Sequence, residues 1–253
     1  MSHLSNKIVL VTGASSGIGE ATARKFAQKG ARLILAARRV DRLEKLAKSL
    51  NVPCHYFQLD VRNRSAVEKA VPGLPKEWQE IDILVNNAGL SRGLEKLYEG
   101  NPDSWDEMID TNVKGLLYVS RAVIPGMVKR GRGHIINIGS IAGHELYPGG
   151  NVYCASKHAE NAITRGMLVD LADTPIRVST VDPGLVQTEF SEVRFYGDKE
   201  RAEKVYQGYK PLSGEDIAEA IIWITERPEH VQVAEMIIFP TAQGSAMVTH
   251  KKT

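Results

Sequence analysis

IVLVTGASSGIGEATARKFAQKG, residues 8–30, runs from an unbroken apolar stretch through a glycine-rich turn into a helical pattern. IVLVT (8–12) lacks polar alternation, as suits a parallel strand covered on both faces. Residues 17–29 then carry apolar positions at helical spacing. Between them, TGASSGIG (12–19) sets Gly13, Gly17 and Gly19 in a GxxxGxG arrangement. Glycine is needed where a strand turns sharply into a helix, lets its backbone touch a pyrophosphate and aims free amides at that charge. The loop, with Ser15, Ser16 and Ile18 between the glycines, is a candidate dinucleotide cradle; a plain glycine turn is the bland alternative.

The same alternation continues along the chain. Apolar runs recur at 33–37, 54–61, 81–87, 134–140, 176–183 and 236–240, with helix-length segments such as 41–50, 102–129 and 151–171 between them. Strand-helix repetition of this kind predicts an α/β fold, a Rossmann-type doubly wound parallel sheet of about seven strands with helices on both faces. No linker, repeat or low-complexity tract divides residues 1–253, which read as one domain. The segment 187–212 is less regular and carries Phe190, Phe195, Tyr196, Tyr206 and Tyr209. A long aromatic excursion inside a compact domain suggests a partly helical substrate lid.

Charge narrows the partners. The 32 basic and 30 acidic side chains of the 253 residues leave a formal charge of +2, which gives no electrostatic case for nucleic acid or a membrane surface. The two cysteines, Cys54 and Cys154, show neither CxxC nor metal-ligand spacing, so neither a disulfide framework nor a metal is expected. Together with the short apolar run near the start and the lack of any stretch of membrane-spanning length, this predicts a cytoplasmic protein.

The second strand ends LILAARR (33–39). An NAD site usually places an acid there to hold the ribose 2′-hydroxyl, whereas a 2′-phosphate calls for cations. Ala37 takes the strand-end position and Arg38 and Arg39 follow, with no acid nearby until Asp41. Guanidinium groups match phosphate with paired donors, so NADP is the expected cofactor, against a bland reading of two exposed arginines at a helix start.

In NVYCASKHAE (151–160), Tyr153 and Lys157 lie one helical turn apart on one face. Making a phenol a usable acid-base near neutrality takes roughly 4 kcal/mol, the equivalent of ~3 pKa units. One ammonium about 4 Å away at an effective dielectric near 20 supplies that order of energy. Tyr153 and Lys157 therefore fit proton transfer to or from a carbonyl oxygen. Ser140 closes the run HIINIGS at the carboxyl edge of the predicted sheet, where a hydroxyl can orient a substrate oxygen. Asn112 falls within a predicted helix, a poor position on propensity; it either solvates the helix or marks a kink that holds a water for proton relay.

TGASSGIG, NNAG (86–89), Asn112, Ser140 and YCASK (153–157) together resemble the short-chain dehydrogenase/reductase family in order and spacing, over about residues 7–240. The resemblance implies a tetrad: Tyr153 as acid-base, Lys157 on the nicotinamide ribose, Ser140 positioning substrate and Asn112 supporting the relay. It further implies Asp60 and Val61 near the adenine, and Asn87, Ala88 and Gly89 along the cofactor. Pro183, Gly184 and Thr188 would surround the nicotinamide amide, with Val186 on the same cofactor-binding segment. The family commonly forms tetramers, packing the helices predicted at 102–129 and 151–171 between subunits. Val123, Ile124 and Met127 look exposed on the first of these, so a homotetramer is expected.

Longer runs, including LDVRNR (59–64), RAVIPGMV (121–128) and TEFSEVRFYGD (188–198), are similar to the NADP-dependent branch acting on 3-hydroxy acids such as serine, allo-threonine and 3-hydroxypropionate (or malonic semialdehyde). Such substrates carry a carboxylate. Arg194 is its candidate partner, beside Ser140 and Tyr147 as substrate-facing residues; the bland reading is a salt bridge from Arg194 to Glu192 or Asp198. Arg92 stands where this branch more often has small apolar residues. It is read first as pointing to solvent, and otherwise as a second carboxylate partner or a narrowing of the pocket. Two alternatives stay open: a carbonyl reductase for neutral ketones, diketones or sugars, and a non-catalytic nucleotide-sensing regulator on the same fold.

Overall fold

The computed structural model describes residues 3–252. Seven parallel strands form its sheet: β1 (Ile8–Thr12), β2 (Arg32–Ala37), β3 (Cys54–Gln58), β4 (Ile83–Asn86), β5 (Gly133–Ile138), β6 (Ile176–Pro183) and, after a two-strand side sheet, β9 (Glu235–Ile238). They lie in the order β3-β2-β1-β4-β5-β6-β9. The direction of winding reverses between β1 and β4, which makes the crevice above their carboxyl ends the expected ligand position. This is the Rossmann-type sheet expected from the alternation of apolar and helical runs.

Successive strand residues feed two cores. Val9, Val11, Leu33 and Leu35 pack on one face with Phe26 of α1 (Gly17–Gln28), Leu43 of α2 (Val40–Ser49) and Ile217 and Ile221 of α9 (Gly214–Thr225). Leu10, Ile34, Leu84 and Ile135 face the other way, against Val67 of α3 (Arg64–Ala70) and Val119 of α5 (Leu116–Arg130). Period-two alternation thus persists inside runs that are apolar throughout, because both faces are covered. Truncating a fully buried side chain such as Leu35 to alanine costs about 2–5 kcal/mol.

Local chemistry sets the helix ends near the crevice. Asn101 caps α4 (Pro102–Ile109) by accepting from the Asp103 amide, with proline at the first helical position. Ser213 and Asp216 form a reciprocal capping box on α9. The expected helix over 102–129 is interrupted: Asp110–Gly115 form a π-helical turn between α4 and α5. Asn112 lies inside it, where such bulges commonly mark functional positions. The strand expected over 54–61 ends at Gln58, leaving Asp60 and Val61 in the following turn.

Val123 and Met127, expected on an exposed face, are instead 3 % and 0 % exposed in the core beneath the sheet, and Ile124 is half-buried against it. Their spacing reports this helix's inward stripe. The segment 187–212 contains two short helices, α7 (Phe190–Arg194) and α8 (Lys199–Lys204). Its ends are tied by a parallel pairing of β7 (Val186–Gln187) with β8 (Leu212–Ser213), Val186 opposite Leu212.

Candidate active site

A cavity of about 520 Å³ opens above the carboxyl ends of the central strands. It gathers the glycine loop after β1, Arg38 and Arg39 after β2, Asp60 and Val61 after β3, and Asn87, Ala88 and Gly89 after β4. Ser140, Tyr147, Tyr153, Lys157, Pro183, Gly184, Val186, Thr188 and Arg194 complete the wall. Of the candidate catalytic, cofactor and substrate residues, Gly19, Asn112 and Arg92 do not line it.

The cradle depends on missing side chains. Gly13 and Gly17 have φ of +65° and +56°, in the left-handed region that suits glycine. A Cβ at Gly19 would fall 2.4 Å from Asn87 Nδ2 and 2.5 Å from the Gly13 carbonyl oxygen, so Gly19 serves from behind the loop by close packing. Asn87 holds the two loops together, donating from Nδ2 to the carbonyls of Thr12 (3.0 Å) and Gly13 (3.3 Å). Thr12 Oγ1 accepts from the Asn87 and Ala88 amides at 3.0 and 3.1 Å. The loop surface left facing the cavity is backbone and small side chains, which fits a pyrophosphate.

Arg39 donates from Nη2 to Ser16 Oγ (2.7 Å) and Ser15 Oγ (3.2 Å), and so lies over the glycine loop. The absence of a nearby acid in sequence does not hold in space. Glu189, from the start of the 187–212 segment, takes Arg39 at 2.9 Å and Arg42 at 2.6 Å. Burial alone would lift the Glu189 carboxyl, but the hydrogen bonds from Arg42 and Arg39 hold it below the usual carboxylate range. Arg38 reaches Glu107 at 3.7 Å, and Asp60 is paired with Arg62 at 2.6 Å.

Tyr153 and Lys157 both lie on α6 (Asn151–Asp170), 8 % and 5 % exposed, and line the cavity together with Ser140. Ser140 Oγ accepts the Ala142 amide at 3.1 Å, which leaves its own proton to donate. The loop carrying Ser140 is anchored further on by His144, whose Nε2 shares a 2.7 Å hydrogen bond with the buried Asp182 on β6. Asn112 accepts the Leu90 amide and donates to the Leu90 carbonyl and Ser156 Oγ, all within 3.0 Å. Both amide protons and one lone pair of its oxygen are used in tying the π-helical turn to Leu90 and Ser156. Lys157 Nζ donates to the Ile138 carbonyl at 2.8 Å and to Glu160 Oε2 at 2.7 Å. Burial opposes the ammonium, but the charges of Glu160 and Tyr153 outweigh it and hold Lys157 above the usual lysine value. Burial pushes Glu160 up to about 7.

Arg194 lies over the rings of Phe190, Tyr153 and Tyr147, with its guanidinium carbon 5.1, 5.3 and 5.9 Å from their centroids. Nη2 donates to the Tyr147 hydroxyl at 3.1 Å, and Nε is buried without a partner. No ion pair joins it to Glu192 or Asp198; Lys199 approaches Glu192 instead, at 3.6 Å. Among the described residues Arg194 has no carboxylate partner. Arg92 does not point to solvent, nor into the cavity. Its Nε donates to Glu107 at 2.7 Å, its Nη1 to the Val193 carbonyl at 2.6 Å, and its guanidinium stacks on Tyr196. It fastens the segment carrying Arg194 to α4.

Residues 7–198 match the short chain dehydrogenase family. The chain belongs to that family. This short-chain dehydrogenase is 49 % identical over 240 residues to the NADP-dependent 3-hydroxy acid dehydrogenase of Escherichia coli (strain K12), covering 94 % of this chain and 97 % of that one. It is 45 % identical over 257 residues to the NADP-dependent 3-hydroxy acid dehydrogenase of Schizosaccharomyces pombe, covering 100 % and 99 %. A solved structure described as the closed form of serine dehydrogenase complexed with NADP+ superposes with a TM-score of 0.93 at 47 % identity, covering 97 % and 100 %.

Three contributors escaped the sequence reading: Glu189, Glu160 and Gln243. Gln243, 6 % exposed, accepts the Leu185 amide at 2.8 Å and lines the cavity from the chain's last stretch. Only the acid three residues after Lys157, on the same helical face, carried a local signal.

Proposed function

We propose that this short-chain dehydrogenase is an NADP-dependent oxidoreductase acting on short 3-hydroxy acids: serine, allo-threonine, and 3-hydroxypropionate with its malonic semialdehyde product. One observation carries the substrate class: the Arg194 guanidinium stands above Tyr153 with no carboxylate among the described residues to neutralise it. A planar guanidinium at that position takes a carboxylate through two parallel hydrogen bonds. The names of the relatives agree with this reading.

The cofactor fits the residues present, since a glycine cradle meets Arg39 laid across Ser15 and Ser16. When bound, the nicotinamide supplies the hydride acceptor or donor. Arg39 and Arg38 are the residues that would hold the 2′-phosphate, although Arg39 is paired with Glu189 and Arg38 lies near Glu107. Ser140 donates its free proton to the substrate oxygen, and Tyr153 takes the hydroxyl proton in oxidation or returns it in reduction. Lys157 would hold the nicotinamide ribose, and Asn112 ties the π-helical turn to Leu90 and Ser156. Arg194 fixes the carboxylate and so aims the carbinol carbon. Residues 187–212 act as the lid, with Arg92 as its fastening.

We place the enzyme in the cytoplasm as a homotetramer, the family's common assembly. Trp223 on α9 and Ile237 on the edge strand β9, 47 % and 43 % exposed, offer apolar surface to a second copy. The test is the initial rate with L-serine and 3-hydroxypropionate beside their methyl esters, each with NADP and NAD. Acids turning over with NADP, and esters hardly at all, is the expected result. Esters or unrelated alcohols turning over faster would overturn the substrate assignment.

A further inference from the structure

Glu160 is a buried acid that the reaction above does not use. It is 2 % exposed, one turn beyond Lys157 on α6, and its carboxylate sits 2.7 Å from the ammonium. A lysine has three N–H donors. Here Glu160 takes one and the Ile138 carbonyl, at the end of β5, takes a second at 2.8 Å. The third is left for the cavity, where the ammonium faces the loop after β4: a Cβ on Gly89 would stand 3.8 Å from Nζ. The two rear contacts come from different elements, so they fix the direction of the lysine as well as its place.

We propose that Glu160 is a positioning residue for Lys157, aiming its free N–H into the cofactor pocket and cancelling its charge from behind, so that the pocket accepts the positively charged oxidised nicotinamide. This rests on reading the cavity as a nicotinamide site. Without Glu160, the buried ammonium would repel the oxidised ring and leave the uncharged reduced ring unaffected. Asp182 on β6 adds negative charge to the same pair, but its carboxylate is already held by Thr180 and His144, so of these two acids only Glu160 contacts the lysine. A helix brace of the ordinary kind would make no distinction between the two redox forms of the cofactor.

The experiment measures the dissociation constants of NADP+ and NADPH for the full chain, by calorimetry and by nucleotide fluorescence, and takes their ratio. In Glu160→Gln, which keeps the shape and a hydrogen-bonding group, the ratio of NADP+ to NADPH constants rises about tenfold. Glu160→Asp, which keeps the charge, stays near the wild-type ratio. Because Glu160→Gln leaves a buried lysine without its counter-charge, Lys157→Met and Lys157→Met/Glu160→Gln form a second pair. The Lys157 ammonium also lowers the Glu160 carboxyl, so in the Lys157→Met background the buried acid is neutral and adding Glu160→Gln leaves the ratio within about twofold. An unchanged ratio in Glu160→Gln, or the same tenfold rise in the Lys157→Met background, overturns the proposal. Failure of the wild-type chain to bind either nucleotide overturns the reading of the pocket along with it.

Discussion

Replacing Arg194 by methionine tests the substrate assignment at the atom that carries it. Methionine keeps apolar volume over the Phe190 and Tyr153 rings, where the guanidinium carbon now lies at 5.1 and 5.3 Å, and removes only charge and donors. Hydrogen bonds to a charged partner are worth about 1.5–3 kcal/mol each. Arg194 is half-buried and shares one donor with Tyr147, so the lower end applies to each of two bonds. The sum is about 3 kcal/mol, or about a 150-fold loss of kcat/KM. The assay follows NADPH formation from L-serine and 3-hydroxypropionate beside their methyl esters. Acids should lose about two orders of magnitude and esters less than about threefold, since an ester offers no charge to pair. Parallel loss on acids and esters would mean that Arg194 braces the 187–212 segment and does not read the substrate; that result would refute the reasoning.

Arg39→Ala should lower kcat/KM for NADP about a hundredfold while NAD changes only a few-fold, as coenzyme-saturation kinetics would show. An equal loss with NAD would mean that Arg39 merely braces Ser15 and Ser16. Buried His134 should give stability a pH slope: desolvation, aided by the Arg177 charge, pushes its ring down to about 3 from an ordinary 6.5. The unfolded chain binds a proton below 6.5 that the folded chain refuses until about 3, so stability falls with falling pH across that window. Between pH 6.5 and 5 the loss is about 2 kcal/mol. The urea midpoint of the wild-type chain should therefore fall more steeply with falling pH than that of His134→Leu. Glu160, shifted the opposite way, is present in both and cancels; midpoints that run parallel would remove His134 from the account.

What was legible in sequence was what is encoded locally or repeats along the chain. The glycine loop, the strand ends bearing Arg39 and Ser140, and the one-turn spacing of Tyr153 and Lys157 all follow from neighbours a few residues apart, and all converge on one cavity. The failures are pairings that only the fold creates. Arg39 meets Glu189 across 150 residues of chain, and Arg92 meets the Val193 carbonyl across 101. Arg92 looked solvated because loop arginines usually are, and nothing beside it announced Glu107. Val123 and Met127 looked exposed for a different reason: an apolar stripe reports one face of a helix without saying whether the sheet or a second subunit covers it.

The seven-strand sheet contains no hairpin. Its paired residues are separated by no fewer than 21 positions along the chain, between Leu33 and Cys54, and by as many as 74, between Val9 and Ile83. Each pairing must close a long loop before it is repaid by contacts, which places such a topology among slow folders. The crevice lies at the longest of these closures, where β1 meets β4. A nascent chain therefore holds its glycine turn long before it holds a pocket, and apolar strand edges such as IVLVT stay exposed in the interval.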